Sequence, residues 1–108
     1  LQRPQRRNAV DSLTAKLLFD AFHAFDQDSS ASVAVLTGDG DSFCAGADLK
    51  ERASMSQEQV RELLLAYESE LGWLESIAVP TVAAINGAAL GGGRCGLYFP
   101  LMGGWREL

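Results

Sequence analysis

Apolar residues recur along this chain with two different periods, and the switches between them mark out helices and strands. Leu13, Leu17, Leu18, Ala21, Phe22 and Phe25 fall at helical spacing, which predicts a helix over residues 11–25 with one buried stripe, begun by Asp11 or Ser12. After the polar connector 26–30, residues 33–37 (Val-Ala-Val-Leu-Thr) are short, β-branched and continuously apolar, the pattern of a strand buried on both faces. Gly38-Asp39-Gly40-Asp41 reads as a turn. Ser56-Gln57-Glu58-Gln59 is a capping-box sequence and predicts the start of a long helix. Val60, Leu63, Leu64, Tyr67, Leu71 and Leu74 form its inner stripe, with Glu58, Glu62, Glu68 and Glu75 on the wet side. Val79-Pro80 stops it, residues 81–85 (Thr-Val-Ala-Ala-Ile) make a second buried strand, and Asn86-Gly87 turns the chain.

Strand, loop, helix, strand is a βαβ unit, so the predicted class is α/β with two parallel strands. Parallel strands send their outgoing loops from the same end. Residues 45–49 and 87–93 are therefore expected side by side, at the edge where open α/β sheets bind ligands. No internal repeat or low-complexity tract interrupts this pattern.

Composition limits the picture further. With 108 residues, 47% of them hydrophobic, the chain supports one small core, hence one domain or part of one. It begins at Leu1 with no basic-then-apolar leader, so a fragment without a signal peptide is expected. No apolar run reaches the roughly 20 residues a membrane span needs, so a soluble chain without a membrane partner is expected. The net charge is −5, and residues 8–93 hold four Lys/Arg against thirteen Asp/Glu. That argues against a nucleic-acid partner. Arg3, Arg6 and Arg7 crowd the start, either solvating a terminus or meeting a phosphate-bearing ligand. Cys44 and Cys95 lack metal-ligand spacing and secretory context, which fits a reducing, intracellular compartment. His23, the only histidine, lies one step off the helix stripe and reads as a surface residue.

Candidate chemistry resides in the two loops. Residues 42–51 (Ser-Phe-Cys-Ala-Gly-Ala-Asp-Leu-Lys-Glu) and 84–93 (Ala-Ile-Asn-Gly-Ala-Ala-Leu-Gly-Gly-Gly) present small side chains and backbone N–H groups after β-type runs, as an oxyanion site requires. Asp48 and Glu51 suit the start of a short helix, where carboxylates oppose the dipole, better than a metal site. Gly91-Gly-Gly-Arg-Cys-Gly96 satisfies G-x-G-x-x-G but comes six residues after Ile85 and lacks the later acidic residue, so a dinucleotide site is disfavoured.

Residues 43–51 and 80–93 closely resemble the enoyl-CoA hydratase/isomerase (crotonase) family in residues, order and separation. Arg3-Pro4 and Arg7-Asn-Ala-Val10 resemble that family's early segment, where a strand ends and the first helix begins. The resemblance spans residues 1–93 and implies part of a crotonase-like ββα spiral, with the βαβ unit carrying both oxyanion-hole loops. It implies an acyl-CoA thioester as partner, with coenzyme A arriving as part of the substrate and no separate cofactor or metal. Trimers or pairs of trimers, and a bacterial cytoplasm or mitochondrial matrix, are implied likewise. By motif match, the backbone N–H groups of Ala47 and Gly92 receive the thioester carbonyl and stabilise an enolate. Ala9, Val10, Ala45, Gly46, Asp48, Leu49, Leu90 and Gly91 match segments that bind the substrate.

Family hydratases use two glutamates to add water across the 2,3 double bond. Cys95 stands where the resemblance puts the first, and the second would lie past Leu108. Gly96, Pro100, Gly103 and Gly104 oppose the apolar helix expected there, so residues 94–108 are expected as an atypical, irregular tail left by a change of reading frame or splicing. An inactive, truncated family member is the resulting expectation. The alternative is a non-catalytic acyl-CoA binder or a fragment that joins family oligomers.

Overall fold

A computed structural model describes residues 1–91. A 3-10 turn at Pro4–Arg6 precedes helix α1 (Ser12–Gln27). Strands β1 (Ala34–Thr37) and β2 (Ser42–Cys44) follow, then helices α2 (Leu49–Ala53) and α3 (Gln57–Ser76), then strands β3 (Thr81–Ala84) and β4 (Ala88–Ala89). Local chemistry sets the helix starts. The Asp11 carboxylate accepts the Thr14 N–H, and Ser56 and Gln59 complete both bonds of the capping box. Asp48 caps α2 by accepting the Lys50 and Glu51 N–H groups.

Among the described residues the strands pair in parallel in two small sheets, of which the βαβ pattern predicts the first. β1 lies against β3 with Leu36 opposite Ala83, and β2 lies against β4 with Ser42 opposite Ala88. The second pair falls inside the two segments that the sequence pattern assigns to loops. Three residues of β2 and two of β4 are too short to show a period. Phe43 and Cys44 are nonetheless fully buried, and they join Phe22, Leu36, Leu74 and Ala83 in the core.

Three expected faces differ from the observed ones. In α1 the buried stripe is Ala15, Phe19 and Phe22, while Leu13 and Leu17 are 64% and 58% exposed and Ala21 is exposed. The whole run is apolar enough to offer two stripes, and docking on α3 selects the one that carries Phe19, whose ring sits 6.2 Å from that of Tyr67. Likewise Leu64 of α3 is half exposed. Val35 of β1 is 61% exposed and Val33 lies outside the strand; side chains alternate faces along β1, and among the described residues only its Leu36 side turns toward the core. His23 is exposed as expected, and its ring stacks on Trp73 at 3.7 Å and bonds Glu70 at 2.8 Å across the α1–α3 contact.

Candidate functional site

The seam between β2 and β4 brings the two small-residue loops together. Leu90 N–H donates to the Cys44 carbonyl at 2.9 Å, extending the β2–β4 ladder into the loops. Gly46 and Gly91 both hold left-handed backbone (φ 95° and 51°). They face one another closely enough that a Cβ on Gly91 would touch the Gly46 Cα at 3.9 Å. Gly87 permits the approach: a Cβ there would strike the Asp41 carbonyl.

The amides of the first loop can be accounted for one by one. Ala45 N–H donates to the Arg7 carbonyl at 3.0 Å, Gly46 N–H to the Cys44 Sγ at 3.4 Å, and Asp48 N–H to the Val10 carbonyl at 2.9 Å. Among the described residues, the Ala47 N–H has no acceptor, the one such amide between residues 45 and 48. Its direction follows from its own peptide unit. The Gly46 carbonyl accepts the Val10 N–H at 2.8 Å, and a trans peptide points its N–H opposite to its carbonyl, so the Ala47 donor is aimed away from residues 9–10.

Charged side chains brace this loop from behind. Both oxygens of Asp48 are engaged, Oδ1 by the α2 amides and Oδ2 by Arg3 at 3.1 Å. The Glu51 N–H bond, with help from the Arg3 cation, holds the Asp48 carboxyl below its ordinary value. Hydrogen bonding from Thr14, followed by Arg3, does the same for Asp11. Glu51 accepts the Ser12 N–H with both oxygens, so α2 is tied to the start of α1. Burial pushes the Cys44 thiol up and keeps it neutral.

The expected substrate-binding residues Ala9, Val10, Ala45, Gly46, Asp48, Leu49, Leu90 and Gly91, and the expected oxyanion-hole residue Ala47, lie on these adjoining segments. Val10 and Ala47 form an isolated parallel bridge. Leu49 and Leu90 are 79% and 59% exposed, one just after Asp48 and the other just before Gly91. The Asp48 side chain is spent on capping. Gly92, with Cys95 and the rest of the expected tail, lies outside the described residues. No trio of His, Cys, Asp or Glu suited to a metal occurs among the described residues, and no helix there is long and apolar enough to cross a membrane.

The sequence does not reveal the contacts made by Arg3, Asn8 and Asn86. Arg3 is paired rather than solvent-facing, and two asparagines hold the turn before β2. The buried Asn8 amide donates to the Asp39 and Ser42 carbonyls, while Asn86 accepts the Gly38 N–H and donates to the Gly40 carbonyl. Asn8 also stands at φ 55°, a conformation Asn tolerates better than most residues.

A sequence model described as enoyl-CoA hydratase/isomerase matches residues 1–99. The chain belongs to the enoyl-CoA hydratase/isomerase family. A probable mitochondrial enoyl-CoA hydratase 2 of Arabidopsis thaliana is 43% identical over 94 residues, which are 86% of this chain and 31% of that protein. A putative enoyl-CoA hydratase/isomerase of Bacillus subtilis is 39% identical over 94 residues, 86% of this chain and 36% of its own. The crystal structure of an enoyl-CoA hydratase from Bacillus anthracis superposes with a TM-score of 0.78 at 39% identity, over 84% of this chain and 36% of that one. The architecture is thus part of the family's crotonase fold. The chain spans about a third of the length of these relatives.

Proposed function

We propose that this chain binds an acyl-CoA thioester and polarises its carbonyl between the backbone N–H groups of Ala47 and Gly92. The observation that carries the reading is the Ala47 N–H, which has no acceptor among the described residues while the amides of Ala45, Gly46 and Asp48 around it are engaged. Negative charge gathers on a thioester oxygen when its α or β carbon reacts. A fixed donor at that oxygen lowers the barrier without reorganising, and losing one costs roughly 3 kcal/mol in well-studied sites. Small residues at 45–47 and 91 admit the thioester closely, and the exposed Leu49 and Leu90 offer apolar surface to its chain. Hydration of a 2-enoyl-CoA is the parent reaction. This chain does not complete it, because Cys95 occupies the position of the first catalytic glutamate.

Titration calorimetry of the 108-residue protein with crotonyl-CoA, against coenzyme A alone, tests the reading. Heat from crotonyl-CoA is expected, with affinity about tenfold lower in Ala47→Pro, which removes the donor but no hydrogen bond made by the described residues. Absence of heat from a folded protein, or equal affinity in the variant, overturns the binding site. Loss of enoyl absorbance above background overturns the claim of inactivity. A second reading, a non-catalytic piece that joins family oligomers, is favoured by the exposed Leu13 and Leu17. Co-elution with a family enzyme without heat from crotonyl-CoA would select it.

A further inference from the structure

The direction of the Ala47 N–H depends on a contact with little support of its own. Val10 and Ala47 form an isolated bridge of two hydrogen bonds, which among the described residues no strand ladder extends, the Ala45 N–H to Arg7 carbonyl bond being its nearest neighbour. Short, isolated strand pairings are marginal in water. Yet this bridge grips the carbonyl of the peptide unit that carries the Ala47 N–H, so any slackening turns the donor.

Arg3 reaches both sides of the bridge. Its Nη1 donates to the Ala9 carbonyl at 2.6 Å, and its Nη2 lies 3.3 Å from the Asp11 carboxylate, so it holds the residues before and after Val10. The same Nη2 is 3.1 Å from Asp48, the residue after Ala47. The backbone N–H of Arg3 is itself fixed by the Asn8 side chain at 2.9 Å. The guanidinium is mostly shielded, with about a quarter of its side chain exposed, and it is planar, so one group serves three acceptors at set angles. We propose that Arg3 is a positioning residue that staples the Val10–Ala47 bridge and thereby sets the aim of the Ala47 N–H; its consequence for ligand binding rests on the acyl-CoA reading above. Lysine has one cationic centre and cannot reproduce the fork.

Two measurements on the 108-residue protein test this in Arg3→Gln and Arg3→Lys. In ligand-free protein, amide hydrogen exchange of Val10 and Asp48, the two donors of the bridge, is expected to quicken at least about tenfold in Arg3→Gln and by less in Arg3→Lys. Exchange in the middle of α3 stays within about twofold. Unchanged exchange at Val10 and Asp48, or equal acceleration throughout α3, overturns the staple. The second measurement is the absorption of bound cinnamoyl-CoA, whose conjugated carbonyl absorbs at longer wavelength when hydrogen bonds polarise it. The parent protein is expected to shift the band and Arg3→Gln to lose at least half of the shift at saturation, whereas a full shift in Arg3→Gln overturns the positioning role. No shift in the parent refutes the acyl-CoA reading instead, and the exchange result still decides whether Arg3 holds the bridge.

Discussion

Replacing Asn8 tests how the turn that leads into the site is held. Its side chain is 1% exposed and makes three hydrogen bonds: Oδ1 accepts the Arg3 N–H, and Nδ2 donates to the Asp39 and Ser42 carbonyls at 2.9 and 2.7 Å. Asn8→Ala removes all three. At about 1 kcal/mol each, these bonds account for about 3 kcal/mol. Alanine at φ 55° adds left-handed strain of about 1 kcal/mol, giving a loss of about 4 kcal/mol. A urea slope of about 1–3 kcal/mol per molar then predicts a midpoint lowered by more than about 1 M in far-UV circular dichroism. Asn8→Asp separates donor from acceptor. It keeps the group that receives Arg3 but sets a carboxylate oxygen against two carbonyls, and is expected to be at least as damaging as alanine. Asn8→Gly, free of the left-handed strain, is the mildest of the three. A midpoint within about 0.5 M of the parent for Asn8→Ala at unchanged slope, or an aspartate milder than alanine, refutes this account of the turn.

Three other substitutions or conditions probe different supports. Gly87→Ala drives a Cβ into the Asp41 carbonyl, so a loss of about 1–3 kcal/mol and a lower melting temperature are expected; an unchanged temperature shows that β4 can shift freely. Ser56→Ala removes the acceptor of the Gln59 N–H and is expected to cost about 1 kcal/mol in urea unfolding, with Ser56→Asp restoring most of it. Acid acts through Asp11 and Asp48, whose folded values lie below 3.8. Their contribution is present above that value and is lost as the pH falls through the depressed ones. The urea midpoint should therefore fall between pH 5 and pH 2, and less steeply in Asp48→Asn; an identical slope in that variant removes Asp48 from the explanation.

The sequence by itself determined whatever depends on near neighbours. The capping box at Ser56, the Asp11 and Asp48 caps and the parallel β1–β3 pair were all legible, because each follows from the chemistry of a few successive residues or from chain connectivity, while α3 ends at Ser76, ahead of the Val79-Pro80 stop. The family was legible too, since small residues in fixed order survive as a pattern without any knowledge of their contacts, whereas the short β2 and β4 inside the two loop segments were not. Tertiary structure decided the faces and the aim. Leu17 and Phe19 are equally apolar, and only docking on α3 buries one and exposes the other. Arg3 in a basic cluster looks like solvated surface until the fold sets Asp11 and Asp48 beside it. The Ala47 N–H becomes a directed donor only because Val10, 37 positions earlier, takes hold of the carbonyl on the same peptide plane, a constraint that no local pattern encodes.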